Sequence, residues 1–225
     1  MRTLIVAVVL TLTVPAIAQV PPSEQELRSY QGLHAAAARG DVTAIESHIK
    51  TGDAVNATDA RQRTPLHVAI FQKQHGAGRV LLRLGADPNR LESGSYDIVT
   101  IASVANDTTG LTLALAGGGN PRAITSIYDG TALIAAAHLG HADIVRMLIA
   151  AGAPLDHVNN LGWTALMESI VLGDGGKNHT DTLQALVAAG ANVNIADRAN
   201  MTPLQHAKSR GYAAMVKTLQ AAGAR

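Results

Sequence analysis

The sequence predicts an all-α repeat solenoid: about six stacked helix-turn-helix units joined by β-hairpins. Three observations predict it. A short motif, Thr followed by Pro or Ala and then Leu, recurs as Thr64-Pro65-Leu66-His67, Thr131-Ala132-Leu133-Ile134, Thr164-Ala165-Leu166-Met167 and Thr202-Pro203-Leu204-Gln205. A second marker, a glycine before a small residue, falls at Gly52, Gly85, Gly118, Gly152, Gly190 and Gly223, with successive spacings of 33, 33, 34, 38 and 33 residues. Between the markers, apolar residues follow helical spacing, as in Ile144, Val145, Leu148 and Ile149. Units of this length cannot each bury an apolar face alone, so they must stack.

The first eighteen residues read as an address. Arg2 gives a basic start, Leu4 to Val14 is apolar apart from Thr11 and Thr13, and Pro15 precedes a small-x-small site at Ala16-Ile17-Ala18. That order describes a secretory signal peptide over residues 1–18, cleaved after Ala18. The apolar run is too short for a membrane span, which needs about 20 residues. The chain has no Cys, so lipoprotein anchoring, disulfides and thiolate chemistry are excluded. Loss of Arg2 leaves seventeen basic against seventeen acidic residues. A surface without net charge offers neither nucleic acid nor anionic lipid the basic patch it needs.

Residues 19–28 form an N-terminal extension in which Ser23 and Glu26 are spaced as a capping box. The repeat domain follows over residues 29–225, with units at about 29–60, 61–93, 94–127, 128–160, 161–198 and 199–225. In each motif the Thr (Thr64, Thr131, Thr164, Thr202) is placed as an N-cap, and Pro65 or Pro203 suits the first helical turn. Gly40, Gly140, Gly173 and Gly211 stand where the first helix should end in a left-handed residue. The spacing of 38 marks an insertion of about five residues, read as a solvated loop near Gly175 to His179.

Two units depart from the pattern. The third replaces the motif with Asp97-Ile98-Val99-Thr100, in which Asp97 is still a good N-cap and Asn106 still tolerates a left-handed turn. Gly76 and Gly78 in the second unit and Gly110 in the third occupy second helices, so these helices are expected to be the softest in the stack.

The period of 33 with Thr-Pro-Leu-His resembles the ankyrin-repeat family, over six units from about Ser29 to Arg225. The resemblance implies that His34 and His67 hydrogen-bond within their own turns. It also implies a non-catalytic module that binds a partner protein across its hairpins and first helices. In the family the residue before the motif Thr faces the groove, which here selects Arg63, Tyr96, Gly130, Trp163 and Met201. Arg61 and Tyr128, on the same hairpins, complete the expected partner-binding set, and Tyr128 sits in a hairpin one residue longer than the others. An alternative role for Trp163 is to pack beneath its own hairpin.

Other chemistry is poorly supplied. His138 and His141 lie three apart, a spacing that can chelate, but no carboxylate cluster completes a site. No nucleophile elbow or phosphate loop is present, and Gly117-Gly118-Gly119 falls on a helix-ending marker. No catalytic residue, metal or cofactor is expected. The Asn-x-Thr triplets at Asn56, Asn106, Asn178 and Asn200 would be glycosylated only in a eukaryotic secretory pathway, and an exported ankyrin-type chain is expected from a bacterium. The expected protein is a monomeric periplasmic interaction module, accessory to a periplasmic enzyme as in oxidative-stress defence. The alternatives are an immunity protein against a toxin delivered to the periplasm, or an enzyme or metal-binding protein using His138 and His141.

Overall fold

The computed structural model describes residues 19–225. The expected signal peptide lies outside the described residues. After the short helix α1 (Glu24–Ser29) come six helix pairs: α2 (Gly32–Arg39) with α3 (Val42–Lys50), α4 (Pro65–Phe71) with α5 (His75–Arg83), α6 (Ile98–Val104) with α7 (Thr108–Ala116), α8 (Ala132–His138) with α9 (Ala142–Ala150), α10 (Ala165–Val171) with α11 (Lys177–Ala188), and α12 (Pro203–Ser209) with α13 (Ala213–Ala221). The first helices pack in one row, α2 through α12, and the second helices in another, α3 through α13. One apolar core runs between the rows from Leu33 to Leu219. The chain is therefore an all-α solenoid.

The motif residues act as their chemistry demands. The hydroxyls of Thr64, Thr131, Thr164 and Thr202 each accept the backbone N–H three residues on, and Asp97 does the same for Thr100. Pro65 and Pro203 open their helices. Ser23 and Glu26 form the reciprocal capping box that starts α1, with Glu26 Oε2 accepting Ser23 N–H at 2.8 Å.

His67 bonds its own turn and more. Thr64 N–H donates to Nδ1 at 3.0 Å, and Nε2 reaches the Arg90 carbonyl of the next hairpin at 3.0 Å. In the third unit Thr100 does this double duty: it bonds Asp97 Oδ1 at 2.7 Å and Thr125 Oγ1 at 2.9 Å. His34 departs from expectation. Its N-cap is Gln31, which makes no side-chain cap bond, so the His34 ring turns outward to the Arg63 carbonyl at 2.9 Å.

The hairpins are mostly turns rather than strands. Among the described residues only β1 (Ile124–Thr125) and β2 (Gly130–Thr131) pair as a two-stranded sheet, in the hairpin that is one residue longer. Each hairpin instead closes around a side-chain oxygen that takes the N–H groups two and four residues on. Asp59, Glu92, Ser126, Asn159 and Asp197 fill this place in turn. Successive hairpins are stitched together by Ser93 N–H to Arg61 O, Ser126 N–H to Ser95 O and Asn160 N–H to Tyr128 O, all at 2.9 Å.

Two local expectations are corrected. Gly40, Gly140 and Gly211 are left-handed, but Gly173 is not; the left-handed residue of that turn is Gly175, because the inserted residues move the turn two places along. The insertion is a solvated loop only in part: Gly173 to Gly176 lie outside the helices, with the Asp174 side chain 76% exposed. It lengthens α11 to twelve residues against nine in α9, and His179 lies in that helix with its side chain only 13% exposed. Its Nδ1 bonds Asp174 and its Nε2 the His138 carbonyl, both at 2.9 Å.

Candidate protein-binding groove

Hairpins and first helices of units three to five meet around a cavity of about 510 Å³. Tyr96, Tyr128 and Trp163 line it from the hairpins, and Leu139 and Leu172 from the ends of α8 and α10. The chain has six aromatic residues in all, so half of them converge here. Leu139 and Leu172 are exposed at 40% and 43%, an apolar surface left uncovered beside the rings. With Gly130, which also lines it, four of the seven expected partner-binding residues are thus brought together.

The other three are not. Arg61 is exposed but lies away from the cavity, beside Glu26 with Nε 3.3 Å from Oε1. Met201 is half-buried on the last hairpin, also away from it. Arg63 is the clear correction, because only 1% of it is exposed. Its Nε donates to Asp59 Oδ2 at 2.7 Å and its Nη2 to Glu26 Oε1 at 2.5 Å. Two carboxylates draw the guanidinium inward, where it ties α1 to the second unit. Tyr30 Oη donates to the same Asp59 oxygen at 2.6 Å. Burial raises the Asp59 carboxyl, but hydrogen bonds from Tyr30 and Arg63 outweigh it and leave the pKa lowered. The N–H and hydroxyl of Ser23, with Arg63 behind them, bring Glu26 down to about 2.

Tyr96 has a mixed role. It lines the cavity with only 7% of its surface exposed, and burial, followed by the Glu92 carboxylate and Tyr128, raises its phenol. Trp163 is half-buried, its backbone N–H donating to Asn159 Oδ1 at 3.0 Å.

Sequence reading missed Glu168, a lining residue that is 3% exposed. Its Oε1 accepts Asn159 Nδ2 at 2.9 Å, and its Oε2 lies 3.2 Å from His138 Nδ1. Four residues past the N-cap, the same repeat position holds Val68, Ile101 and Ala135 in units two to four. A charge at a core position of the repeat was therefore visible once the units are set in register. His138 and His141 do not converge: His138 turns forward to Glu168, while His141 Nδ1 bonds the Ser103 carbonyl of the preceding unit at 3.0 Å. Among the described residues no group of three or more His, Asp or Glu is gathered as metal ligands. No helix among them is long and apolar enough to cross a membrane.

Comparison with known proteins agrees with this geometry. The family profile for ankyrin repeats in three copies matches residues 99–197, and that for a single ankyrin repeat matches residues 61–92. The chain is 30% identical over 190 residues to the ankyrin repeat protein YahD of Escherichia coli (strain K12), covering 84% of this chain and 94% of that one. The crystal structure of an ankyrin repeat domain from Acinetobacter baumannii AYE superimposes with a TM-score of 0.82 at 41% identity, over 86% of this chain and 98% of that one. The ankyrin repeat domain of Bcl-3 gives a TM-score of 0.78 at 26% identity, over 88% of each chain. With its capped helix pairs, its stitched hairpins and these matches, the chain belongs to the ankyrin-repeat family.

Proposed function

We propose that this protein is an exported, non-catalytic module of the bacterial periplasm that binds a partner protein in the groove of units three to five, as an accessory to a periplasmic enzyme such as one in oxidative-stress defence. Ankyrin repeats are protein–protein interaction modules, and the fold is typically a non-enzymatic scaffold. The observation that carries the reading is the convergence of Tyr96, Tyr128 and Trp163 with the exposed Leu139 and Leu172 around one cavity. Large rings beside uncovered apolar surface are what interface anchors use, because they bury much area at small entropic cost. The leader-like residues 1–18 support export. The protein serves as bait in a periplasmic extract, with Trp163→Ala bait as the control. A partner retained by the native bait and lost from the variant supports the reading. A partner retained equally by both places the binding face elsewhere.

A further inference from the structure

The groove has an electrostatic character that its apolar rim conceals. Glu168 brings a carboxylate to the cavity with its side chain 4% exposed, and among the described residues no Lys or Arg lines it. Among the described residues its partners are the neutral amide of Asn159 and the imidazole of His138, itself 33% exposed. The sixth unit shows the contrast. There the acid is Asp197 on the hairpin, and the residue in Glu168's repeat position is His206, whose Nε2 lies 2.7 Å from Asp197 Oδ2. In the fifth unit the acid is on the helix and the hairpin supplies only an amide. One hydrogen bond to each oxygen leaves a carboxylate further acceptor capacity.

We infer that this cavity takes a basic side chain, an arginine or lysine, from an apolar segment of the partner protein. Glu168 supplies the counter-charge, and the rings of Trp163 and Tyr128 supply the faces on which a weakly hydrated cation stacks. Leu139 and Leu172 receive the apolar residues beside it. The Gln19 side chain already reaches into the cavity, yet its buried Nε2 has no hydrogen-bond acceptor among the described residues. An N–H donor on a flexible stem enters there without satisfaction, and a cationic donor that can be satisfied displaces it.

This inference rests on the groove being the partner site, and its test uses synthetic probes so that the two can fail separately. Trp163 is the only tryptophan of the chain, so its emission reports on the cavity directly. The purified protein is titrated with acetyl-Leu-Arg-Leu-amide, with the Gln and Glu analogues, and with tetramethylammonium. The expected result is a saturable change with the Arg peptide at an affinity about tenfold or more above the Gln analogue. Glu168→Gln, which keeps the shape of the side chain and an acceptor for Asn159, is expected to abolish that preference. Tyr128→Leu, on a half-buried ring, is expected to weaken the Arg peptide about fivefold or more with the thermal midpoint retained; it decides the matter should Glu168→Gln fail to fold. Equal binding of the Arg and Gln peptides, or no saturable change up to about 10 mM, overturns the inference. So does an unaltered preference in Glu168→Gln. Tetramethylammonium binding as tightly as the Arg peptide overturns it in favour of a small quaternary ammonium ligand. A partner captured through Trp163 with no peptide preference would leave the groove reading intact and this one refuted.

Discussion

Leu113 fills the space that Gly78 leaves empty. A Cβ on Gly78 would lie 2.8 Å from Leu113 Cδ2 and 3.4 Å from Ile70 Cδ1. The glycine of α5 thus lets a leucine of α7 pack down onto the first helix of its neighbour. Gly78 and Leu113 are both buried, so the softness expected of these helices is offset at this point by the packing that the missing side chain allows. The pair should be coupled. Gly78→Ala gains about 1 kcal/mol of helix propensity but forces Leu113 aside, so alone it should be neutral or destabilising. In a Leu113→Ala background, which itself costs about 2–4 kcal/mol, the same change should stabilise. A double-mutant cycle by urea denaturation reads this as a coupling of about 1 kcal/mol or more; strict additivity would show that the two helices do not depend on each other.

Arg63 should prove a stability residue. Replacing it with Ala leaves Asp59, 10% exposed, without its guanidinium partner. Breaking a buried pair from one side costs about 3–5 kcal/mol. Arg61→Ala removes only a half-exposed contact with Glu26 and should cost about 1 kcal/mol or less. Denaturant midpoints of the two variants separate these roles, and equal midpoints would contradict the assignment.

The difference between these two arginines shows where the sequence was legible. Period, cap and core pattern are local, so Thr64, Asp97 and Thr202 disclose their roles by spacing alone. Which hairpin residue points outward depends on what waits on the other side. Arg63 is turned inward by Glu26, 37 residues away in sequence, and no periodicity carries that information. Glu168 stands between these cases. Its burial follows from the register of the repeat, but its partners Asn159 and His138 come from a hairpin and from another unit. His179 was misplaced because an insertion count does not say whether the added residues extend a loop or a helix.

His67 should make the fold acid-sensitive. It is fully buried, and burial brings its pKa down to about 4, against weaker opposing hydrogen bonds to the Arg90 and Tyr96 backbones. The N–H of Thr64 points at Nδ1, so a second ring proton there would face another donor. In the unfolded chain the imidazole titrates near 6.5. Between those values the unfolded state binds the extra proton and the folded state does not, so stability falls as pH falls. The stability is complete above about pH 6.5 and is lost progressively towards about pH 4, by roughly 3 kcal/mol in all. Urea midpoints measured between pH 7 and 4 should fall accordingly, and His67→Gln should flatten this part of the profile. An unchanged slope in that variant would assign the acid sensitivity to other groups.

Tyr96 and Trp163 line one cavity but should answer differently to truncation. Tyr96 is buried at 7% exposure and belongs to the apolar core, so Tyr96→Ala should open a cavity and cost about 3–5 kcal/mol of stability. Any loss of binding would then follow from the damaged fold. Trp163 is half-buried, and its hairpin is held by backbone bonds to Asn159 that do not need the indole. Trp163→Ala should therefore leave the melting temperature within a few degrees while weakening the captured partner by about 2 kcal/mol or more. Calorimetric melting of both variants, with titration of the partner into each, checks the pair. Should Trp163→Ala lower the melting temperature as far as Tyr96→Ala and leave affinity intact, the indole is a staple beneath its own hairpin, and the anchor must be sought at Tyr128.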